Sequence, residues 1–294
     1  MESLYQAAGL SRQAFHTWLR PSEHQETRTP AHLVVEMARY IRKEFLPGSS
    51  AREVYFYIRN KHQASDLMLS GWGKHAFEAL CLNNGLRIEA RRFVPKTTVR
   101  GDYVFPNLIE GKRILDINQI WASDICYLYG SNGQLVGYAT TLLDLYSRRL
   151  LGLSFSQTMH AAVTSQEVLR QAFRERSCAK FAELIFHSDG GKQYIEGKFV
   201  AALRLRNVQS SMAESCYENA FAESFNDILK NHMLFDLDIN SFAQLKKYES
   251  FIKYCYNQNR RHNSIQKMTP FEFENHILTL QPCQRTSLEI KVIS

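Results

Sequence analysis

Three acidic residues of the chain stand in sequence settings that suit metal ligands. Asp124 lies within the apolar and aromatic run 120–128, which predicts a buried strand with the acid near its middle. Asp189 follows a short apolar segment and precedes a pair of glycines, so it is predicted to sit at the end of a buried strand. Glu223 lies in a segment with helical spacing. A single acid in such a place would be an ordinary turn or cap residue, but three of them indicate one metal-binding set.

Phosphodiester chemistry explains why three carboxylates would be needed. Carboxylate oxygens are the ligands that Mg²⁺ and Mn²⁺ prefer in proteins. Two such ions about 3.5–4 Å apart stabilise both the attacking and the leaving oxygen of a phosphodiester. We therefore predict metal-dependent breakage and joining of DNA, in which Asp124 bridges two ions and Asp189 and Glu223 each hold one.

The segment around Glu223 has the period of an amphipathic helix. One face is polar, with residues spaced by four, three and four positions: Asn219, Glu223, Asn226 and Lys230. The other face is apolar: Phe221, Phe225, Ile228 and Leu229. A carboxylate flanked by amides and a lysine suits a cation and an anion together, so Asn219, Asn226 and Lys230 are predicted to contact DNA. The alternative is an ordinary solvated helix face.

Two basic stretches are further candidates for contact with the DNA backbone. Arg91 and Arg92 open a segment with proline, threonine and little periodicity, which predicts an interdomain linker. The second stretch ends the last long predicted helix and combines aromatic, amide and basic groups, among them Arg260, Arg261 and His262. The alternatives are a plain exposed loop and a basic helix end favoured by the helix dipole.

The elements that would position the three acids begin where the pattern changes near residue 115. The predicted elements are strands over 120–128, 135–145 and 149–155, a helix over 161–173, a strand over 183–188, a helix through Phe199 and Leu203, a strand over 207–211 and the helix of Glu223. This order is typical of an α/β ribonuclease-H-like fold, a mixed sheet flanked by helices. That fold brings acids from its central strands and its last helix into one cleft. Asp144, at the end of the second strand, is interpreted as structural.

The first 110 residues are predicted to be helical and to include an all-α, helix-turn-helix-like DNA-binding module. Predicted helices over 31–45, 51–61 and 72–83 carry many basic residues, and Ser50 with Glu53 forms a capping box. The alternative is a helical accessory domain with solvated charges. The first of these helices is predicted to bury a stripe: Leu33, Met37, Ile41 and Phe45. The predicted domains are 1–30 (a short helical segment and linker), 31–90 (the helical module), 91–114 (a basic linker), 115–275 (the catalytic core with its C-terminal helices, including one over 241–261) and 276–294 (an ordinary tail).

Composition is consistent with a polyanionic partner. The chain has 294 residues, a formal net charge of +7 and a pI near 9.0, which favours DNA without requiring it. Its six cysteines include no CxxC pair and no spacing with histidine that suggests a zinc finger. Reduced thiols, the lack of a signal-peptide pattern and the lack of a long apolar run predict a cytoplasmic protein with no membrane partner.

Four strings, taken in order, resemble one family of DNA-rearranging enzymes. They are WASDICY at 121–127, HSDGGKQY at 187–194, SMAESCYENAFAESFNDILK at 211–230 and YNQNRRHNSIQKMTPFEFE at 256–274. Together they resemble the second-reading-frame (OrfB) product of insertion-sequence family three, a DDE transposase whose catalytic domain resembles retroviral integrase. The resemblance covers roughly residues 30–275.

The resemblance implies a catalytic triad of Asp124, Asp189 and Glu223, with Lys230 at the family's basic position after the glutamate. It also implies a magnesium- or manganese-dependent transposase that recognises the ends of a mobile element and joins them to target DNA. Such enzymes act as multimers on paired ends, often fused to an upstream-frame product, so we expect a homo-oligomer on DNA in the bacterial cytoplasm. The segment between the last two acids is shorter than in relatives, and Glu218 stands where relatives usually carry Asp.

Two alternatives to a transposase remain open on the sequence. One is a metal-dependent nuclease of the same fold, which would cut without joining. The other is a DNA-binding relic or regulator that keeps the helical module and performs no chemistry.

Overall fold

The N-terminal part of the computed structural model consists of three packed helices. The structure describes residues 28–61, 69–87, 105–177, 180–213, 219–235 and 237–290. The helices are α1 (Ala31–Glu44), α2 (Ala51–Lys61) and α3 (Lys74–Asn83). The predicted capping box is present, because the Ser50 amide donates to the Glu53 carboxylate at 2.8 Å and the Glu53 amide donates to the Ser50 hydroxyl at 3.3 Å.

The buried face of α1 differs from the predicted one. Its core side chains are Val34, Ala38 and Ile41, whereas Leu33 is 52% exposed. Spacing by four residues alone follows a line that drifts around a helix of 3.6 residues per turn, and spacings of four and three together keep one face inward. The predicted helix was therefore correct in extent and wrong in orientation at Leu33.

A five-stranded mixed sheet forms the centre of the molecule. Its strands are β2 (Ile120–Tyr129), β3 (Leu135–Asp144), β4 (Leu150–Ser156), β5 (Ile185–Ser188) and β6 (Gln209–Met212), arranged in the order β4-β3-β2-β5-β6. β3 pairs antiparallel with both β2 and β4, whereas β5 runs parallel to β2 and β6 runs parallel to β5. A meander extended by two parallel strands beyond its first strand is the ribonuclease-H-like arrangement, which confirms the predicted fold class.

Helices cover both faces of the sheet, which is why its central strands are apolar on both sides. On one face lie α4 (Ser165–Arg176), α5 (Lys192–Ile195) and α6 (Gly197–Leu205), packed around a core that includes Trp121 and Phe186. The helix predicted over 161–173 begins later, since Ala161–Val163 forms a 3₁₀ turn before α4. Gly152 allows α4 to approach closely, because a Cβ there would lie 2.6 Å from a main-chain oxygen of that helix.

The opposite face carries α7 (Ala220–Ile228), which continues into a π-helical turn at Leu229–Met233. It is followed by α8 (Phe242–Lys247), α9 (Glu249–Gln258) and α10 (Pro270–Thr279), with short 3₁₀ turns at Asn263–Ile265 and Pro282–Gln284. These helices bury a second core against the sheet, built from Phe225, Ile252 and Phe273 among others. The catalytic acids predicted from the sequence therefore lie at the boundary between α7 and the sheet.

Two predictions for the C-terminal region are corrected. The helix predicted over 241–261 is two helices, because the chain turns at Tyr248 and the Glu249 carboxylate accepts a hydrogen bond from the Phe155 amide of β4 at 2.6 Å. The segment predicted as an ordinary tail contains β7 (Leu288–Glu289), which pairs with β1 (Arg113–Ile114) in a separate two-stranded sheet.

The helical module rests on the C-terminal helices of the core. The Asn259 side chain donates to the Phe45 carbonyl at 2.9 Å. Gly48 has a φ of +65°, and a Cβ at that position would overlap the backbone of His232. The domain boundaries given above stay a prediction.

The described residues were also compared with the expectations for membrane spans and cysteines. Within these residues, no helix combines the length and the apolar character needed to cross a membrane. Cys81, Cys126, Cys255 and Cys283 are free thiols.

Candidate active site

Asp124 occupies the middle of the central strand. It pairs with Thr141 of β3 on one side, and its strand neighbours β5 on the other. Its Oδ1 accepts a hydrogen bond from the Ile125 amide at 2.8 Å, and its Oδ2 accepts one from Asn226 Nδ2 at 2.6 Å. The carboxylate is thus held by its own strand and by α7.

Asp189 lies beside Asp124 because of the parallel pairing of their strands. Ser123 of β2 is aligned with Ser188 at the end of β5, so the next residue of each strand is an acid. Asp189 Oδ1 accepts a hydrogen bond from the Gly191 amide at 3.1 Å, which fixes the turn that follows the strand. Rigid backbone therefore places the two aspartates side by side, as predicted from the sequence.

The polar row of α7 faces the sheet. Asn219 Nδ2 donates to the Ser123 carbonyl at 3.1 Å, and Asn226 Nδ2 donates to Asp124. Glu223 lies between these two amides on the same face of the helix and keeps an exposed side chain. Two amide contacts at the ends of the row therefore align Glu223 with the aspartates.

The expected DNA contacts of Asn219 and Asn226 are corrected by this geometry. The two residues are only 4% and 5% exposed, and their amides bind the strand. Nor is the row an ordinary solvated face. Sequence spacing identified the row, but it could not show that the row turns toward β2.

The electrostatics of the three acids are those of an uncompensated cluster. Burial, and then the negative charges of Asp189 and Glu223, raise the pKa of Asp124 to about 7. Burial also raises the pKa values of Asp189 and Glu223. The ionised forms of these carboxylates are therefore disfavoured, and a bound cation would stabilise them.

Lys230 is the basic group that faces the cluster. It lies in the π-helical turn after α7, and its positive charge lowers the pKa of Asp124. It also forms a hydrogen bond with the Cys126 thiol, whose pKa burial raises to about 12. Lys230 is therefore beside the carboxylates, and its contact with a DNA phosphate stays a prediction.

The three carboxylates are the kind of ligand that a divalent metal ion prefers, although their oxygens do not converge on one point in this structure. Three hard oxygen donors that repel one another fit Mg²⁺ or Mn²⁺. No group of three or more His, Cys, Asp or Glu side chains within the described ranges is arranged closely enough to hold an ion. The three acids are neighbours whose side chains would converge when a cation is bound.

Three of the other predicted DNA contacts are engaged within the protein. Arg261 binds the Lys267 carbonyl at 2.8 Å and the Glu272 carboxylate at 3.1 Å. The His262 ring packs edge-on against Tyr256 at 4.9 Å between centroids, and Arg260 lies 3.9 Å from Glu53 of the helical module. These side chains make contacts within the protein, and their contact with DNA stays a prediction.

Some of the sequence predictions lie outside the described residues. They are Arg91, Arg92, Glu218 and residues 1–27 of the short helical segment and linker predicted over 1–30.

Ser123 and Tyr194, for which the sequence indicated no role, meet next to the two aspartates. The Ser123 hydroxyl donates to the Thr141 carbonyl at 2.6 Å and lies 2.9 Å from the Tyr194 hydroxyl. Burial, and then the charges of Asp189 and Asp124, hold the pKa of Tyr194 well above its ordinary value. Both residues stand within the quoted motif strings, but only the fold shows that they touch.

Comparison with known proteins identifies relatives of this chain. Two models of the integrase core domain match residues 116–216 and 207–270. The transposase InsF for insertion sequence IS3A of Escherichia coli strain K12 is 34% identical over 197 residues, covering 65% of this chain and 67% of that protein. The transposase for insertion sequence element IS904 of Lactococcus lactis is 30% identical over 165 residues, covering 54% of this chain and 62% of that protein.

Solved structures with a similar arrangement are retroviral. The HTLV-2 integrase catalytic core domain in complex with magnesium aligns with a TM-score of 0.42 at 16% identity, over 57% of this chain and 99% of that one. A chain of the simian T-cell lymphotropic virus intasome in complex with PP2A regulatory subunit B56 gamma aligns with a TM-score of 0.43 at 15% identity, over 76% of this chain and 74% of that one.

The ribonuclease-H-like sheet, its acids and the integrase-core match define a DDE-type transposase or integrase, a class of metal-dependent enzymes. Within that class, the extent and identity of the sequence relatives decide the family. The chain belongs to the IS3 family of insertion-sequence transposases.

Proposed function

We propose that Asp124, Asp189 and Glu223 hold two Mg²⁺ or Mn²⁺ ions and that the chain uses them to cut DNA at the ends of its element and join it to a target. The observation that supports this most directly is the placement of the three acids: Asp124 and Asp189 follow aligned residues of β2 and β5, and Glu223 lies on the face of α7 that turns toward β2. Burial, and then the charges of Asp189 and Glu223, raise the pKa of Asp124 to about 7, and Lys230 only partly offsets them. A cation would supply the missing positive charge.

The bound ions would polarise the phosphodiester and activate the attacking water or 3′-hydroxyl oxygen. The protein's own residues prepare the site. Asn226 fixes one oxygen of Asp124, and Asn219 fixes α7 against β2. Fixed ligands lower the cost of ordering the site when the substrate arrives. Lys230 would hold a phosphate beside the metal as a point charge.

The substrate and partners follow from the family. We propose that the substrate is the DNA of the element's ends and of the target, because InsF and the Lactococcus protein are named as transposases of insertion sequences. The working form would be a homo-oligomer on paired ends, assisted by a product of the upstream reading frame. It would act on DNA in the bacterial cytoplasm.

The test is metal-dependent nicking and joining of labelled DNA duplexes, with Asp189→Asn compared with wild type. Loss of one metal ligand is expected to reduce joining on the order of 10³-fold, because a bound ion contributes several kcal/mol to the transition state. Asp238→Asn is the matched control, since Asp238 accepts a hydrogen bond from Ser131 at 2.7 Å in a loop outside the cluster. It should join DNA at the wild-type rate.

The outcomes separate this proposal from its alternatives. Nicking without joining, lost in Asp189→Asn, would favour a nuclease. If wild type and Asp189→Asn bound DNA equally and neither turned over with Mg²⁺ or Mn²⁺, the chain would be a relic or regulator.

A further inference from the structure

A cavity of about 350 Å³ lies against α7, on the side that faces away from the catalytic row. Phe221, Ser224 and Ile228 line it from the helix, whereas Glu223 and Asn226 belong to the row that faces β2. At about 100° per residue these two sets project from opposite sides of the helix. The cavity is therefore separate from the site of the three acids.

The most informative residue of this cavity is Arg148. It lies in the turn between β3 and β4 with a φ of +62°, a left-handed conformation that costs a non-glycine residue about 1 kcal/mol or more. Its guanidinium carbon stands 4.1 Å from the centre of the Phe221 ring. Within the described ranges, Arg148 has no salt bridge and donates no side-chain hydrogen bond. A partly buried arginine is thus held against an aromatic ring with its donors still available.

The next residue in the chain shows that this state is not general. Arg149 binds Glu175 at 2.9 Å and also forms a salt bridge with Glu274. Of these two successive arginines, Arg149 is paired with carboxylates of the protein. Arg148, which faces the cavity, has no such pair among the described residues.

Other groups around the cavity add positive potential. Burial, and then the positive charges of Arg260 and Arg148, lower the pKa of His262 to about 3. The His262 Nε2 is buried without a hydrogen-bond partner among the described residues. Ala220 and Phe221, at the positive N-terminal end of α7, also line the cavity.

One acid borders the cavity, and its charge is already engaged. The carboxylate of Asp144 accepts hydrogen bonds from the Asn118 amide at 2.6 Å and from the Tyr146 and Ser147 amides at 3.0 Å. Arg176 lies 3.6 Å from it. Asp144 therefore leaves the positive charge of Arg148 largely uncancelled.

We propose that this cavity binds a phosphate group, with Arg148 as its charged donor and the Ser224 hydroxyl and the end of α7 as its neutral ones. The chemistry is that of a phosphate mono- or diester anion. Its source is the DNA substrate, so the inference rests on the proposed function in that respect. A helix is about 10–12 Å across. A strand passing the start of α7 would therefore meet the metal-binding acids on one side and Arg148 on the other.

The test measures binding of a DNA duplex without divalent metal, so that cutting plays no part and the metal mechanism can fail or hold independently. Ser224→Asp places a carboxylate in the cavity at an exposed helix position, where folding should be unaffected. Ser250→Asp is the matched control, an exposed serine on α9 outside the cavity. Arg148→Gln removes the charge directly, with Arg204→Gln, an exposed arginine of α6, as its control.

We expect Ser224→Asp and Arg148→Gln to weaken DNA binding by about tenfold. Arg148→Gln should also reduce the slope of log affinity against log salt by about 0.9, the value for one lost phosphate contact. Both controls should match wild type. Unchanged affinity and slope in Ser224→Asp would overturn the proposal, whatever the state of Arg148→Gln.

A second arm identifies the source of the phosphate. Inorganic phosphate is titrated against the protein without DNA, and thermal unfolding is followed. Stabilisation that disappears in Ser224→Asp, together with the DNA result, would support a phosphate site that the DNA fills. Stabilisation without any effect of the variants on DNA binding would overturn the DNA assignment in favour of free phosphate.

Discussion

Two acids that pack at the central sheet, Asp124 of the active site and Glu274 of α10, have pKa values shifted in opposite directions. At the active site, burial and the neighbouring charges of Asp189 and Glu223 raise the pKa of Asp124 to about 7. In the second cluster, burial acts to raise the pKa of Glu274, but the hydrogen bond and charge of Arg176 and the charge of Arg149 outweigh it. The pKa of Glu274 therefore lies below its ordinary value.

The difference is in the cations that the fold supplies. Glu274 is 3% exposed, and it binds Arg176 at 2.6 Å and the Ser147 hydroxyl at 2.7 Å. It joins α10 to the β3–β4 turn and to α4. Among the described residues, the carboxylate of Asp124 has the Asn226 amide and the Ile125 backbone as hydrogen-bond donors and Lys230 as a nearby positive charge. The cluster of Glu274 contains its own counter-charges, whereas the cluster proposed to bind metal would receive them from outside.

The largest expected effect on stability comes from removing the charge of the neutralised cluster. Glu274→Gln leaves the guanidiniums of Arg149 and Arg176 without their shared partner, so the free energy of unfolding should fall by about 3–5 kcal/mol. Denaturant unfolding of the metal-free protein measures this. Glu167→Gln, which disrupts the more exposed pair with Arg170, should cost less than about 1 kcal/mol. Equal losses in the two variants would show that the Glu274 cluster does not stabilise the fold.

The same acid-to-amide change at the active site should act in the opposite direction. The folded pKa of Asp124 lies above the ordinary value of 3.8, so the stability it contributes is complete below pH 3.8 and is lost as pH rises to about 7. At pH 8 without metal, Asp124→Asn should therefore raise the free energy of unfolding, by at most about 4 kcal/mol. The loss of one acceptor oxygen reduces that gain.

The pH dependence is the diagnostic feature of this prediction. Unfolding measured from pH 4 to pH 8 should show the variant gaining on wild type as pH rises. A difference that is constant across this range would mean that the folded protein does not raise the pKa of Asp124, and the contrast with Glu274 would fail.

The comparison also shows what the sequence could reveal. Period and motif identified the strand of Asp124, the turn of Asp189 and the polar row of α7, because local spacing determines each of them. They did not reveal the partners of that row. Asn226 and Asp124 are 102 positions apart, and only the packing of α7 on β2 lets the Asn226 amide donate a hydrogen bond to the Asp124 carboxylate.

The second cluster was missed altogether for the same reason. Glu274 is one of several polar residues in α10, and it meets Arg149 across 125 positions. Nothing in its neighbourhood marks it as a partner of the β3–β4 turn. Arg260, Arg261 and His262 show the same limit. A basic helix end suggested DNA, and only the fold shows the contacts that these groups make within the protein.

The smallest effect we expect comes from the single amide that orients Asp124. Asn226→Ala removes the 2.6 Å hydrogen bond to Oδ2, so the carboxylate is less well placed for a cation, and the affinity for Mg²⁺ should fall by about tenfold. At saturating Mg²⁺ this corresponds to about 1.4 kcal/mol less stabilisation than in wild type, measured by thermal unfolding over a titration of the metal. Ser147→Ala is the matched control, because it removes the hydroxyl that binds Glu274 at 2.7 Å. It should lower stability by about 1 kcal/mol with and without Mg²⁺. If Asn226→Ala responded to Mg²⁺ as wild type does, the active-site cluster would not depend on its protein contacts to receive the metal.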